Sequence, residues 1–174
     1  RELCKLPDVA QHLAYLDLNS AEGQEYWAAM NLSGDYASAC HHQIHKKIAR
    51  SVGAQVLGMV ENHHNFAWKE MYNGQEVIVH RKGATPAAKG VLGIIPGSMT
   101  APGYIVEGNG IANSIQSASH GAGRKMSRTA AKNNFNQKML DEKLNEAGVH
   151  LIGGDIDESP MAYKDINEVM QYQN

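Results

Sequence analysis

The chain has little cysteine, little net charge and no long apolar run. Two cysteines in 174 residues, Cys4 and Cys40, make no disulfide framework, which fits a reducing compartment. A formal net charge of -2 excludes a nucleic-acid binder that works by bulk electrostatics, so any such site must be local. No stretch reads as a transmembrane helix or a secretory apolar segment. No membrane partner is expected, the cytoplasm is the expected location, and the Asn31-Leu32-Ser33 sequon carries no meaning there. Internal repeats and low-complexity linkers are absent as well, so residues 1–174 are expected to form a single domain piece. The first residue is Arg1 rather than Met, and a helical pattern is still running at Asn174; both ends are expected to be cut.

Some chemical signatures are missing too. Gly-x-x-x-x-Gly-Lys-[Ser/Thr] does not occur, which excludes a Walker A phosphate loop. A Gly-x-Ser-x-Gly elbow is lacking, which argues against a serine hydrolase of that type. Paired carboxylates do not stand out, which argues against a glycosidase. The sequence Gly153-Gly154-Asp155-x-Asp157-x-Ser159 hints at a calcium loop. It fails because Pro160 replaces the turn glycine and Ile166 the closing glutamate.

What is present is an ordinary globular composition, 43% hydrophobic and 20% charged, with 17 glycines and nine histidines. Asn19-x-x-Glu22 resembles a capping box. It precedes Tyr26, Met30, Ser33, Ala37, Cys40, Ile44 and Ile48, spaced as one face of a long helix that Gly34 is expected to kink and Gly53 to end. Val56 to Val60 reads as a buried strand running into Glu61-Asn62-His63-His64-Asn65. Phe66–Tyr72 and Gln75–Lys82 flank Asn73-Gly74, a type I′ hairpin signal, with His80 and Lys82 on one face and Val77, Val79 and Arg81 on the other. Short strands follow at Val91–Ile95 and Tyr104–Val106, then helices at Ser127–Asn134 and Gln137–Ala147, a strand at Val149–Ile152, and a last helix capped by Asp165. The implied class is α+β, a mixed or antiparallel sheet core with flanking helices.

The richest stretch is Ser119-His120-Gly121-Ala122-Gly123-Arg124-Lys125-Met126-Ser127-Arg128. Two glycines let the backbone bend close to a ligand, and successive N–H groups in such a bend favour anions. A helix starting near Lys125 would add free donors. Arg124 can grip a phosphate with two parallel hydrogen bonds. Neutral His120 offers one unprotonated nitrogen as nucleophile, base or metal ligand. With His63-His64-Asn65, His80-Arg81-Lys82 and Gly97-Ser98, the inventory is rich in cations and backbone donors, which suits phosphoryl or nucleotidyl transfer. In that chemistry a histidine carries the nucleotide as a covalent phosphoramidate.

Five of these motifs, taken in order, resemble those of RtcB-type RNA ligases: Glu61 to Asn65, His80-Arg81-Lys82-Gly83-Ala84, Ile95-Pro96-Gly97-Ser98-Met99, Ser119 to Arg128, and Pro160-Met161-Ala162-Tyr163-Lys164. The likeness runs from about residue 12 to the end. It implies an RtcB-like fold and a ligase that uses GTP and manganese to join an RNA 3′-phosphate, or a 2′,3′-cyclic phosphate, to a 5′-hydroxyl. The partners it implies are RNA ends, tRNA halves or broken RNA. By the same resemblance His120 looks like the nucleophile that takes GMP, and His64 like a manganese ligand. Lys82, Ser98 and Tyr163 match guanylate contacts, and Arg124 matches an arginine that handles phosphate.

The departures are Gly103, where the family has a second guanylate-contacting serine, and the lack of counterparts to its upstream metal ligands (an Asp, a Cys and two His) and to its C-terminal lysine. The remainder of a ligase polypeptide is therefore expected to complete the metal site, and this piece alone is expected to be inactive. Two other readings stay open. One is a short protein that binds nucleotide or RNA without catalysis, or is completed by a second chain. The other is a metal hydrolase built on His41, His42, His45 and His64.

Overall fold

Ser20 opens the first regular element. Its hydroxyl accepts from the Gly23 N–H at 3.0 Å and caps helix α1, Ala21–Ser51. The cap lies one residue beyond the expected Asn19, whose N–H instead binds the Asp17 carboxylate at 2.9 Å in an Asx turn. Gly23 is required by space: a Cβ there would sit 2.0 Å from the Asp17 carbonyl oxygen. The helix runs unbroken through Gly34 and ends at Gly53, whose φ of +65° is the left-handed conformation a helix terminus uses. Its half-buried side is Trp27, Met30, Asn31, Ala37, Ser38 and Cys40, whereas Tyr26, Ile44 and Ile48 of the expected stripe are exposed. The computed structural model describes residues 2–173, which divide into two compact units between Gly58 and Met59.

Residues 54–64, including the expected strand at Val56 to Val60, form no strand. Apolarity alone makes no strand without a partner edge, and Val56 and Leu57 are exposed. The second unit begins with β1, Asn65–Tyr72, and β2, Gln75–Lys82, paired antiparallel from Asn65↔Lys82 to Tyr72↔Gln75. Asn73 and Gly74 turn the hairpin at φ of +50° and +78°, the type I′ geometry. Alternation holds in β2: Val77, Val79 and Arg81 turn inward, and Ile78, His80 and Lys82 outward.

Strand β3, Ala84–Pro86, and β4, Leu92–Ile95, come next, followed by β5, Tyr104–Glu107, and β6, Ser117–Ser119. β4 pairs with β5, and β3 with β6, both antiparallel. The fold is α+β, and among the described residues every sheet is a two-stranded antiparallel pair.

Helix α2, Arg128–Asn134, is capped by Ser127, and α3, Gln137–Glu146, by Asn136. Gly148, at φ +66°, ends α3, which buries Leu140 and Leu144. Val149 to Ile152 is not a strand: among the described residues no strand pairs with it, Ile152 is exposed, and Gly153 and Gly154 both have positive φ. Helix α4, Ile166–Gln171, is capped by Asp165 as expected. The core beneath the glycine-rich bend is Ile95, Ala122 and Ile166, with Ala101, Tyr104, Val106, Val169 and Met170 packed around it. Complete burial of each isoleucine contributes about 1.5–3 kcal/mol.

Candidate active site

The β3–β6 ladder sets the centre of the site. Its rung Ala84↔Ser119 puts the residue before β3, Gly83, beside the residue after β6, His120. The His120 N–H donates to the Gly83 carbonyl at 3.4 Å. Gly83 holds φ +80°, and a Cβ there would lie 3.7 Å from His120 Cε1 and 3.8 Å from Nδ1. That Nδ1 is buried and has no hydrogen-bond partner. The His120 ring meets the His64 ring edge to face, centroids 4.6 Å apart. A buried polar atom without a partner is costly in a finished protein interior, and strain, a bound water or ion, a ligand or a catalytic role each accounts for such an atom.

The bend after His120 is fixed at both sides. Ser119 Oγ donates to the Gly121 carbonyl at 2.6 Å, and the Ala122 N–H donates to Pro96 at 3.0 Å. Ala122 is buried in the core, so the bend is anchored from below. Gly83, His120, Gly121, Gly123, Lys164 and Tyr172 help line an open cavity of about 470 Å³. The expected helix start near Lys125 falls instead at Arg128, so the donors above the bend are those of irregular backbone.

A single antiparallel rung, Arg124↔Tyr163, ties the bend to the segment before α4. Lys125 N–H donates to Ala162 at 2.8 Å, and Lys164 N–H to Gly123 at 3.0 Å. Arg124 lies with its guanidinium 5.0 Å from the centre of the Tyr163 ring. Its Nε donates to Met126 at 3.1 Å, Nη1 to the Tyr163 hydroxyl at 3.1 Å and Nη2 to the Asp157 carbonyl at 2.5 Å. Three of the five N–H groups of an arginine are thus engaged in hydrogen bonds with protein, and Nη1 also lies 3.6 Å from the Glu158 carboxylate. Tyr163 donates in turn to Glu158. Burial, then the Glu158 carboxylate, pushes the Tyr163 phenol above its ordinary range. Arg128 completes the cluster, 2.7 Å from Asp157 and 2.6 Å from Glu158.

The other expected site residues reach this neighbourhood by backbone. Lys82 is exposed at the end of β2, opposite Asn65 and adjacent to Gly83. Ser98 is half-buried in the turn whose Pro96 carbonyl holds Ala122. No hydrogen bond among the described residues joins Lys82 or Ser98 to His120. His80 contacts Asn65 Oδ1 at 3.1 Å, and His63 stacks on Phe66 at 4.7 Å.

Sequence reasoning gave no role of its own to Arg81, the one charged member of the inward face of β2. Its signal was the alternation itself, which turns a cation toward the interior. Asp157 and Glu158, which hold Arg124 and Arg128, had no signal beyond a failed calcium-loop pattern.

The donor set does not by itself fit a bound metal ion. His64 and the orphaned Nδ1 of His120 bring imidazole nitrogens together, but no cluster of three or more His, Cys, Asp or Glu able to hold a cation occurs among the described residues. A divalent ion takes about four or more ligands. His41, His42 and His45 lie exposed on α1 and form no such cluster. No helix among the described residues is long and apolar enough to cross a membrane.

The structure thus brings together an imidazole with an unpartnered nitrogen, a glycine bend and a tethered arginine. The comparisons narrow this further. The family model of the tRNA-splicing ligase RtcB matches residues 1–174, and the chain belongs to the RtcB family. It is 44% identical over 131 residues to an RNA-splicing ligase RtcB of Escherichia coli K12, covering 75% of this chain and 32% of that protein. It is 34% identical over 199 aligned positions to a tRNA-splicing ligase RtcB of Archaeoglobus fulgidus, covering 95% of this chain and 41% of that protein. An RNA-splicing ligase RtcB of Mycobacterium tuberculosis is 32% identical over 192 positions, with 95% and 44% covered. The chain therefore spans about a third to under half the length of these relatives.

Proposed function

We propose that the complete polypeptide carrying this sequence is a GTP- and manganese-dependent RNA ligase. It joins an RNA 3′-phosphate, or a 2′,3′-cyclic phosphate once opened, to a 5′-hydroxyl, in tRNA splicing or RNA repair. The observation that carries this reading is the orphaned, buried Nδ1 of His120, on a ring beside His64 and at the head of a glycine bend. Family membership supports the reaction class. In this reading the unprotonated ring nitrogen of His120 attacks the α-phosphorus of GTP. The bond to the β-phosphate oxygen breaks, pyrophosphate leaves, and a histidine–guanylate remains. An oxygen of the RNA 3′-phosphate then takes the guanylate and frees the imidazole. The 5′-hydroxyl finally attacks the activated 3′-phosphate, and GMP leaves.

The Arg124 guanidinium takes charge from the phosphates, sharing itself with the Glu158 carboxylate. Lys82, Ser98 and Tyr163 bind the guanylate. Manganese neutralises phosphate charge when bound; His64 gives it one ligand, and further ligands come from outside residues 1–174. These residues are then one domain piece of a larger site. An incomplete donor set is equally compatible with a second reading, in which a second chain completes the site.

The test is covalent labelling with α-phosphate-labelled GTP and manganese, run on this chain and on the complete polypeptide. Labelling of the complete polypeptide that is acid-labile and alkali-stable, and is lost in His120→Ala, is the expected result. Full labelling of His120→Ala refutes the nucleophile. Labelling of residues 1–174 alone refutes the dependence on outside ligands, and labelling only after a second, different chain is added selects the two-chain form.

A further inference from the structure

Arg81 is 3% exposed and sits on no surface that touches substrate in the reading above. Its guanidinium is nonetheless almost fully used. Nη1 and Nη2 grip the Glu70 carboxylate side by side, at 2.6 and 2.8 Å. Nε donates to Ser117 Oγ at 2.8 Å, and Nη2 also donates to the carbonyls of Ile115 at 2.9 Å and Gln116 at 3.5 Å. The plane lies 5.1 Å from the centre of the Trp68 ring. One side chain thus joins the β1–β2 hairpin to Ser117, the first residue of β6, and to the two residues before it, Ile115 and Gln116.

Those residues are strained. Ile115 and Gln116 hold φ of +52° and +45°. A positive φ is a true outlier for a β-branched residue, and it persists only where surrounding structure imposes it. The imposing contacts are those of Arg81, the Ala87 N–H on Gln116 at 2.6 Å, and Ser117 Oγ on Ile115 at 2.9 Å. Three residues beyond the strained pair, β6 ends and His120 begins. The same hairpin supplies Gly83, the neighbour of the orphaned Nδ1.

We infer that Arg81 is the positioning residue of the His120 imidazole: its fork to Glu70 and its bonds to residues 115–117 hold the strained turn that sets where His120 stands against Gly83 and His64. Lysine cannot replace it, because a single ammonium cannot serve a planar carboxylate fork, a hydroxyl and two carbonyls at once. The functional part of this inference rests on the histidine–guanylate reading.

The experiment uses the complete polypeptide, with single-turnover formation of the guanylate adduct at varied GTP, and in parallel the ¹⁵N imidazole resonances of His120. Arg81→Lys is expected to slow adduct formation at saturating GTP at least tenfold, to change half-saturating GTP less than twofold, and to shift the His120 resonances. Ile115→Gly, which adopts positive φ without strain, is expected to restore at least a third of the lost rate in the Arg81→Lys background. An unchanged rate, or a loss confined to half-saturating GTP, overturns the inference. If Arg81→Lys does not fold, Ser117→Ala removes one of its partners and keeps the ion pair. A threefold slowing with shifted His120 resonances then supports the inference, and parent behaviour overturns it. If the parent forms no adduct, the guanylate reading has failed on its own. The resonances then decide the positioning: shifted in Arg81→Lys, it stands; unmoved, it falls.

Discussion

Replacing Gly83 separates strain from space in one position. At φ +80° an alanine sits in the left-handed region, which costs an L residue about 1–2 kcal/mol. The new methyl meets His120 at 3.7 and 3.8 Å, ordinary contact distances, so no clash adds to that figure. Gly83→Ala is thus expected to lower unfolding free energy by about 1–2 kcal/mol, a fivefold to thirtyfold rise in the unfolded population. Asparagine tolerates the left-handed conformation better, so Gly83→Asn should lose less stability. It puts a larger group beside the imidazole, however, so at equal folded fraction it should form less guanylate adduct than Gly83→Ala. The assay pairs urea unfolding, read at constant slope, with adduct yield on the complete polypeptide. The reasoning is refuted if Gly83→Ala is as stable as the parent, or if asparagine costs more stability than alanine. Full adduct yield in Gly83→Asn would show that the space beside Nδ1 plays no part.

Three further outcomes are expected. Ile95→Ala, in the core under the bend, should cost about 2–5 kcal/mol and Ile95→Val about 0.5–1.5 kcal/mol by urea midpoint, and a loss below 1 kcal/mol for alanine would mean the site collapses freely. The Lys132 ammonium, bonded at 2.5 Å, and then the Ile156 N–H hold the Asp155 carboxyl below its ordinary range. A lowered folded value stabilises above the unfolded value, about 3.9, and that contribution fades as pH falls through the folded value; Asp155→Asn should therefore destabilise at pH 7 and flatten the acid limb of the stability curve, and an unchanged limb would contradict the pairing. Lys82→Ala should raise half-saturating GTP about tenfold, the loss of one charge-assisted hydrogen bond, with RNA affinity within twofold; unchanged GTP dependence would remove Lys82 from the guanylate pocket.

Where local chemistry decides structure, the sequence could be read. Asn73-Gly74 announced its hairpin because few residue pairs adopt two positive φ values in succession. Asp165 and Gly53 marked helix ends because caps act over three or four residues. Where a distant partner decides, it could not. Val56 to Val60 and Val149 to Ile152 have strand composition and find no edge to pair with, while Ser117–Ser119, polar and short, becomes a strand because Ala84–Pro86 lies beside it. On α1, spacing revealed a helix but not which side is covered. The site divided in the same way. His120 and its glycines stand out by type and order, but the contact with His64 depends on a ladder formed across 35 residues. Arg124 was legible as a cation and not as a tethered one, since two of its partners, the Asp157 carbonyl and the Tyr163 phenol, lie more than 30 residues downstream.

The rung between Arg124 and Tyr163 closes residues 125–162 into a loop with fixed ends, and α2 and α3 are strung along it. Extra length inside a closed loop adds little entropy cost, about 0.6 kcal/mol for each doubling. Gly148, with open space where a side chain would go, is an entry point at which such length meets nothing. A tag or a recognition module spliced in at Gly148 would hang from the far side of this loop and leave the ends beside His120 where they are. This makes the α3 terminus the natural place to attach a module without disturbing the glycine bend.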